Sequence, residues 1–365
     1  TWRRLAGWLL AGEGDVARRT ATRICGQHGK ACRGGGRHTG PAPGVVYLAM
    51  AFGLPDGRWL PAFLHRAIDV GLPRVIFITT DVSELLKCET IAKERDAEAS
   101  LLCVHVFTEF ARAYDHNNKA KFYLFPILLS LGMDVAWLDL DVFVIRDPTS
   151  QLLAQAYGTQ PNSGVRPLDR QPQSQGPLDV VVTDHFDMYC LNHGVFMVRA
   201  SDRSLLWLLE YIRWMHWYPF GHDQNGWDAF LGHSIVEPQV PPGLRTDPWR
   251  NASYGVLDTH TEYLTLTGWA GADARERRLA LLIHFTTTKG ISMAGKIGGL
   301  LRLFNATARR GGEAAPDARR VQMAVWKALQ SMKVAMPRAK GPCYQGIHMA
   351  LQTALESQLY DRLLA

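Results

Sequence analysis

The stretch that decides the fold is a short apolar run that ends in two carboxylates, Val135-Ala136-Trp137-Leu138-Asp139-Leu140-Asp141. A continuous apolar run of this length is typical of a β-strand whose two faces are both buried. Asp139 and Asp141 follow the run directly, and paired carboxylates are costly there unless a cation meets them. Mg²⁺ and Mn²⁺ prefer oxygen ligands and also bridge phosphates, so a nucleoside diphosphate is the expected partner of such a metal. The alternative interpretation is that the two aspartates are strand-end caps and a turn.

Three similar apolar runs precede this strand, and helical patterns separate the runs from one another. The runs cover residues 45–50, 74–80 and 101–107, and the helical stretches cover residues 60–70, 83–97 and 119–131. Strands that alternate with helices predict a parallel sheet with helices on both faces, which is an α/β fold. Ligands bind such sheets beyond the carboxyl ends of the strands. Asp81 and Asp139 lie at such ends, so polar chemistry is expected at one edge of the sheet.

The second half of the chain continues the pattern less regularly. Further strands are predicted at 180–183, 194–198 and 281–285, a helix at 205–217, and amphipathic helices at 316–336 and 346–364. The aromatic cluster of Trp207, Trp214, Trp217, Tyr218 and Trp227 can stack on sugar faces, but helical spacing favours a core role for most of these residues.

The charge of the chain is unevenly distributed. The 365 residues include 40 Lys+Arg and 34 Asp+Glu, and the net charge of +6 at first suggests a nucleic-acid binder. Residues 1–43 hold eight basic and two acidic residues, so the whole excess lies in this segment. Its glycine-rich composition offers too little apolar surface to offset the entropy of ordering. We therefore expect a basic stem, linker or arm at 1–43, a globular domain at 44–310 and a helical extension at 311–365, and no nucleic-acid partner for the globular part.

Cysteines, sequons and apolar stretches bear on the compartment. The six cysteines show no metal-finger spacing, so a zinc site is not expected, and up to three disulfides are permitted. Two N-glycosylation sequons, Asn251-Ala252-Ser253 and Asn305-Ala306-Thr307, favour the lumen of the secretory pathway. The apolar stretch 5–11 is too short to span a bilayer, and it is either the remnant of a signal anchor or part of a short helix. Any membrane attachment is expected through an N-terminal anchor that this chain lacks.

Three residues near the strand at 281–285 extend the candidate site. His284 follows a buried run and can add an imidazole to the metal shell, although a lone histidine is more often a core or surface residue. Lys289 and Lys296 can neutralise phosphate oxygens as point charges, and the alternative for each is an ordinary solvated lysine.

Together these segments resemble a known family. Lys121, eighteen residues before Asp139, and the run GMDVAWLDLDVFVIRDP at 132–148 resemble the nucleotide-diphospho-sugar transferase signature of glycosyltransferase family 77. That family includes plant extensin arabinosyltransferases and pectic xylosyltransferases, and an arabinosyl-, xylosyl- or galactosyltransferase of plant or algal type is expected. Three further segments agree in order, at 192–200, 223–230 and 284–302, so the resemblance covers residues 44–305.

The resemblance implies a GT-A fold, a Rossmann-like α/β domain that binds a nucleotide sugar through Mn²⁺ or Mg²⁺. By this resemblance, Asp141 is the direct metal ligand, Asp139 reaches the ribose or a metal-bound water, and His284 completes the metal shell. Asp81 is expected near the base or the ribose of a UDP-sugar donor.

The resemblance also implies how the rest of the donor and the acceptor are held. By the resemblance, Lys121 and Lys296 are expected to hold the diphosphate. Asn192 and the Asp223-Gln224 pair are expected to line the sugar and acceptor side as the catalytic residues. The family retains the anomeric configuration of the sugar, either by same-face attack or through a short-lived covalent adduct.

Two departures from the family pattern lie on the sugar side of the site. His193 stands where a small or aliphatic residue is expected, and Gly226-Trp227 is an insertion in the segment at 223–230. The donor therefore stays open among UDP-arabinofuranose, UDP-galactose and UDP-xylose.

The expected function is a metal-dependent, retaining glycosyltransferase of the Golgi lumen that acts on a glycoprotein or polysaccharide acceptor. A non-catalytic GT-A protein with a binding or structural role is the alternative that the two departures motivate. A metal-dependent phosphohydrolase or nucleotidyltransferase is less favoured. Such enzymes usually need more carboxylates around two metals, and the sequence shows no additional acidic cluster. A Rossmann oxidoreductase is disfavoured because no G-x-G-x-x-G follows the strand at 45–50.

Overall fold

The computed structural model describes residues 44–51, 58–106, 121–158, 177–185, 191–217, 227, 230–231, 252–259, 261–286, 293–308 and 318–331. The predictions for the segment 1–43 and for the helix 346–364 lie outside these residues. Within them, no helix combines the length and the apolar content that crossing a membrane requires.

The helices and strands alternate through the first half of the chain, as the apolar runs predict. The strands are β1 (Val45–Ala51), β2 (Val75–Thr79), β3 (Leu101–His105), β4 (Asp134–Leu138), β5 (Val142–Val144), β6 (Val180–Asp184), β7 (Leu191–Val198), β8 (Tyr254–Val256), β9 (Tyr263–Thr265) and β10 (Leu282–His284). The helices are α1 (Trp59–Asp69), α2 (Val82–Glu94), α3 (Phe125–Ser130), α4 (Thr149–Ala156), α5 (Asp202–Trp217), α6 (Leu266–Gly271), α7 (Ala274–Leu279), α8 (Met293–Thr307) and α9 (Ala318–Ser331).

Seven strands form the central sheet, in the order β3-β2-β1-β4-β7-β6-β8. Neighbouring strands are parallel except around β7, which is antiparallel to both β4 and β6. Because β7 runs the opposite way, its first residues lie at the same edge of the sheet as the carboxyl ends of β4 and β6. The predicted α/β fold, with a mostly parallel sheet flanked by helices, is confirmed.

A second sheet of three strands, in the order β5-β10-β9, lies beyond the end of β4. Strand β10 is antiparallel to β5 and parallel to β9. In this register His284 stands opposite Val142, the residue that follows Asp141. The small sheet therefore brings the end of β10 to the turn that carries the paired aspartates.

The central sheet separates two apolar cores, because side chains alternate between its faces. In β1, Tyr47 and Ala49 lie in one core while Leu48 and Met50 lie in the other. The first core includes side chains of α1, α2, α8 and α9, and the second includes side chains of α3 and α5. A strand buried on both faces explains why the run at 45–50 is apolar throughout.

Aromatic side chains dominate the second core. Trp207 and Trp227 are fully buried, with ring centroids 4.9 Å apart in an edge-on arrangement. The indole nitrogen of Trp207 donates a hydrogen bond to the carbonyl oxygen of Phe230 at 2.9 Å. The predicted core role is confirmed for these two tryptophans, whereas the side chains of Trp214, Trp217 and Tyr218 lie outside the description.

The helix predicted at 119–131 is shorter and less regular than expected. A 3₁₀ turn spans Lys121–Leu124, and the α-helix begins at Phe125, next to Pro126. Proline has no N–H and favours the first turn of a helix, which explains the start at this point. Gly132, with φ +76°, terminates the helix as predicted.

One disulfide lies within the described part of the chain. Cys88 of α2 is bonded to Cys103 of β3, fifteen residues further along. Both residues are buried in the first core. The sequence permits up to three disulfides without specifying their partners, and the structure identifies this pair. The other four cysteines lie outside the described residues.

Candidate active site

The turn after β4 positions the two aspartates. The amide of Asp139 donates to the carbonyl oxygen of Gly194 at 2.8 Å, and the amide of Val142 donates to the carbonyl oxygen of Asp139 at 3.0 Å. The carbonyl oxygen of Asp141 accepts a hydrogen bond of 2.9 Å from the amide of Phe285. Backbone contacts to β7 and to the end of β10 thus fix both residues of the turn.

The side chains of Asp139, Asp141 and His284 converge at this turn. The Nε2 atom of His284 lies 3.2 Å from Oδ1 of Asp141 and 3.9 Å from Oδ2 of Asp139. One donor atom from each of the three residues lies within 4.8 Å of the other two. The structure therefore brings together the three residues that the sequence predicts as metal ligands.

The unused hydrogen-bonding capacity of this cluster fits a divalent cation. Oδ1 of Asp141 and Nδ1 of His284 are buried and have no hydrogen-bond partner among the described residues. A buried polar atom without a partner costs free energy, so such atoms indicate a ligand or a function. Two carboxylates and one imidazole form a donor set that Mn²⁺ and related divalent metals accept.

The two carboxyl groups have different environments. Burial raises the pKa of Asp139, the nearby Asp141 carboxylate adds to this, and the positive charge of Lys121 opposes it. Burial also raises the pKa of Asp141, but the neighbouring His284 imidazole, together with the charge and the hydrogen bond of Lys296, outweighs burial and holds it well below its ordinary value. Asp141 is therefore the more firmly ionised of the two, as the direct ligand of a cation should be.

The two predicted diphosphate lysines that the structure describes lie on either side of the cluster. Nζ of Lys296, near the start of α8, donates to Oδ2 of Asp141 at 2.5 Å. Nζ of Lys121 lies 2.8 Å from Nδ1 of His193 and 5.3 Å from the centre of the Trp137 ring. Both lysines are buried, with relative exposures of 7% for Lys296 and 5% for Lys121. Neither is an ordinary solvated lysine.

Asn192 lies next to a bulge, where β7 leaves the regular register with β6. The register shifts between Val182 and Thr183, and the Thr183 hydroxyl lies 2.7 Å from the carbonyl oxygen of Asn192. The side-chain oxygen of Asn192 accepts a hydrogen bond of 2.8 Å from the amide of Gly194, and its amide nitrogen lies 3.2 Å from Nε2 of His185. Bulges re-aim side chains next to active sites, and this one fixes Asn192 at the shared edge of β4 and β6.

Gly194 makes room for the imidazole of His284. A Cβ atom at position 194 would lie 2.0 Å from Cε1 of His284, which no side chain can tolerate. Its φ is not in the left-handed region, so the requirement is for space and not for backbone freedom. Gly194 lies in the segment 192–200 that resembles the family, but the sequence gives no indication of its contact with His284, 90 positions away.

Asp81 has a structural role in addition to the predicted nucleotide contact. Its carboxylate caps α2, since Oδ1 accepts hydrogen bonds from the amides of Ser83 at 2.6 Å and Glu84 at 3.3 Å. These hydrogen bonds, that of Ser83 above all, lower the pKa of Asp81. It lies at the carboxyl end of β2, on the predicted edge, and its contact with a nucleotide stays a prediction.

The sequence analysis missed an acidic residue at the same edge. Asp184 ends β6, is buried, and accepts a hydrogen bond of 2.6 Å from the Thr259 hydroxyl. The signal that found Asp81 and Asp139, an aspartate that ends an apolar run, also applies to Asp184. Asp223, Gln224 and Lys289 lie outside the described residues, so their predicted roles stay predictions.

Comparison with known protein families gives a match over most of this region. The family model described as nucleotide-diphospho-sugar transferase matches residues 71–297, which is more than half of the chain. No curated protein sequence matches the chain significantly.

Three solved structures illustrate how remote the structural likenesses are. A glycosyltransferase involved in glycosylation of the major capsid of PBCV-1 is 13% identical with a TM-score of 0.36, and the match covers 71% of this chain and 98% of that chain. The glycosyltransferase GlyE of Streptococcus pneumoniae TIGR4 is 11% identical with a TM-score of 0.47, over 81% of this chain and 65% of that one. The mannosyltransferase PcManGT of Pyrobaculum calidifontis, in complex with GDP-Man and Mn²⁺, is 12% identical with a TM-score of 0.34, over 93% and 91%. The family match, in contrast, extends over more than half of the chain. This chain therefore belongs to the nucleotide-diphospho-sugar transferases.

Proposed function

We propose that this glycosyltransferase is metal-dependent and retaining, and that it transfers a sugar from a UDP-sugar to a glycoprotein or polysaccharide acceptor. The observation that carries the proposal is the cluster of Asp139, Asp141 and His284, flanked by two buried lysines at the carboxyl edge of the sheet. The narrower family-77 type, with an arabinosyl, xylosyl or galactosyl donor, is part of the proposal on the strength of the sequence resemblance.

The residues of the cluster suit the departure of a diphosphate. Asp139, Asp141 and His284 would hold Mn²⁺ or Mg²⁺, which when bound supplies positive charge to the diphosphate oxygens. Lys296, which Asp141 orients at 2.5 Å, would place a second positive charge beside the diphosphate. Fixed charges of this kind need no reorganisation as negative charge develops on the departing group.

The sugar and the acceptor are proposed to lie on the β6–β7 side of the cluster. Asn192 is held there by its hydrogen bonds to Gly194 and His185, and the proposal adds Asp223 and Gln224 from the sequence resemblance. The proposal includes retention of the anomeric configuration and leaves two routes to it, same-face attack and a short-lived covalent adduct.

The proposed compartment is the lumen of the Golgi apparatus. The disulfide between Cys88 and Cys103 supports this part of the proposal, because disulfides persist in oxidising compartments and are rare in the cytosol. The two sequons, Asn251-Ala252-Ser253 and Asn305-Ala306-Thr307, point the same way.

The test is a screen of UDP-arabinofuranose, UDP-galactose and UDP-xylose for Mn²⁺-dependent release of UDP by the purified protein. Asp141→Ala should reduce the release by at least about a thousandfold, because it removes both a ligand and the partner of Lys296. Asp202→Ala, which changes an exposed aspartate at the start of α5, is the matched control and should leave the rate unchanged. Release that survives both chelation by EDTA and the Asp141→Ala substitution would contradict the proposal. Failure of the wild-type protein to bind UDP with Mn²⁺ would favour a non-catalytic role.

A further inference from the structure

His193 is a buried polar residue inside an aromatic cluster. It is the third residue of β7, and only 3% of its surface is exposed. Its ring lies against those of Phe122, Phe196 and Trp227, with centroid distances of 6.3, 6.4 and 5.6 Å. An imidazole nitrogen costs free energy in such surroundings unless it makes a hydrogen bond, so the partner of Nδ1 identifies the role of this residue.

The hydrogen bond between His193 and Lys121 defines the state of the imidazole. Nζ of Lys121 lies 2.8 Å from Nδ1 of His193, and the contact is buried. An ammonium group only donates hydrogen bonds, so Nδ1 has to be the acceptor. The geometry therefore assigns the neutral imidazole that carries its proton on Nε2.

Lys121 is held beside the metal cluster. Its ammonium group lies 5.1 Å from the centre of the Phe122 ring and 5.3 Å from that of the Trp137 ring. The indole nitrogen of Trp137 donates to Oδ1 of Asp139 at 2.6 Å, so the same tryptophan contacts both Lys121 and the first aspartate. Aromatic faces attract an ammonium group without fixing its direction, whereas a hydrogen-bond acceptor does fix it.

We propose that His193 is a positioning residue that holds the Lys121 ammonium group beside Asp139, in the place where it meets the diphosphate of the donor. This inference rests on the proposed function, because it takes a nucleoside diphosphate as the ligand. A lysine side chain loses rotamer entropy when it is fixed in one position. By fixing Lys121 before the donor arrives, His193 removes that cost from binding.

The first experiment compares two substitutions of His193. Asn offers an amide oxygen close to the position of Nδ1, whereas Leu fills much of the volume and offers no acceptor. His193→Leu should weaken the binding of UDP in the presence of Mn²⁺ by about tenfold or more, as expected for a hydrogen bond that involves a charged group. His193→Asn should restore most of the affinity, and titration calorimetry with UDP and Mn²⁺ measures both.

The second experiment asks whether His193 acts through Lys121. In a Lys121→Met background, His193→Leu should cause no further loss of UDP affinity, because the ammonium group that it positions is gone. Equal UDP affinity in wild type and His193→Leu would overturn the inference, and so would fully additive losses in the double variant.

A spectroscopic measurement separates this inference from the proposed function. In ¹⁵N-labelled protein without ligand, His193 should show an unprotonated Nδ1 and a protonated Nε2, and Lys121→Met should shift the Nδ1 resonance. The His193→Asn spectrum identifies the resonance by its absence. A protonated Nδ1 would contradict the inference even if the protein transfers sugar. If His193 gives the expected spectrum but the protein binds no UDP, the contact between His193 and Lys121 is correct. The proposed function and the role of Lys121 at the diphosphate are then wrong.

Discussion

Asp139 and Asp141 show how two identical side chains, two positions apart, acquire different properties. Asp141 lies against Lys296 and His284, and these neighbours keep its pKa low despite burial. Asp139 accepts a hydrogen bond from Trp137, and its burial is only partly offset by Lys121, so its pKa is raised. The low pKa of Asp141 arises from Lys296 and His284, which are distant along the chain, so its physical cause could not be derived from the residues around the motif.

The contact between Gly194 and His284 gives a prediction at the scale of a single residue. Gly194→Ala should displace the imidazole, since the new Cβ would lie 2.0 Å from Cε1 of His284. The affinity for Mn²⁺ should fall by about tenfold to a hundredfold, as is usual when the support of a metal ligand is disturbed. Titration of the protein with Mn²⁺, followed by electron paramagnetic resonance, measures the change.

Gly298→Ala is the matched control for this prediction. Gly298 lies inside α8, and the nearest atom to a Cβ there is a terminal nitrogen of Arg302 at 3.9 Å. This substitution should leave Mn²⁺ binding unchanged and should raise stability by about 0.5–1 kcal/mol, because alanine favours helices. Equal Mn²⁺ affinity in the Gly194→Ala and Gly298→Ala variants would contradict the proposed role of Gly194.

At the scale of elements, Asp134 links the start of β4 to its neighbours. Its carboxylate accepts hydrogen bonds from the amide of Ala200 at 2.7 Å and from the Tyr157 hydroxyl at 3.0 Å. Burial raises the pKa of Asp134 to about 6, although these hydrogen bonds and the nearby Arg199 oppose the shift. The residue joins β4 to the end of β7 and to the chain after α4, at the opposite end of β4 from the metal cluster.

The raised pKa of Asp134 predicts a pH dependence of stability. The folded protein binds this proton more tightly than the unfolded chain, so the stabilising contribution is complete below about pH 4 and is lost as the pH rises through about 6. The difference between this pKa and the ordinary value of 3.8 corresponds to about 3 kcal/mol. Asp134→Asn cannot titrate, so the difference in unfolding free energy between wild type and variant should change by about this amount between pH 4 and 7.

Urea denaturation of both proteins at several pH values measures this difference. Other carboxylates titrate equally in the two proteins and therefore cancel. Parallel pH profiles for wild type and Asp134→Asn would show that Asp134 ionises as freely in the folded protein as in the unfolded chain.

At the scale of the whole molecule, β3 lies at one end of the seven-stranded order, and a disulfide attaches it to α2. Cys88 and Cys103 are both buried in the first core, so the covalent bond joins a helix and a strand that already pack together. Such a bond restricts the unfolded chain more than it changes the folded one.

Replacement of both cysteines should therefore destabilise the fold without altering the candidate site. For a loop of fifteen residues, the Cys88→Ala/Cys103→Ala variant should lose about 3 kcal/mol of unfolding free energy. Urea denaturation measures the loss, and UDP binding with Mn²⁺ should be unchanged in the folded variant. Equal unfolding free energies for variant and wild type would contradict the expected role of the disulfide.

The sequence by itself determined the α/β class of the fold and the location of the site along the chain. Apolar runs such as those at 45–50 and 135–138 can only be buried on both faces, so they specify a sheet covered by helices. Asp139 and Asp141 follow one such strand, so their place at the carboxyl edge follows from local sequence alone. The short strands β5, β8 and β9, with three residues each, gave too weak a periodic signal for prediction.

Only the tertiary structure decided which residues meet at that edge. Lys296 pairs with Asp141 across 155 positions, Lys121 contacts His193 across 72, and Gly194 accommodates the ring of His284. Each contact depends on the reversal of β7 within the large sheet or on the attachment of β10 to β5 in the small one. Local sequence specifies strands and their ends because burial and strand geometry act over a few residues, whereas contacts between side chains depend on how distant segments pack.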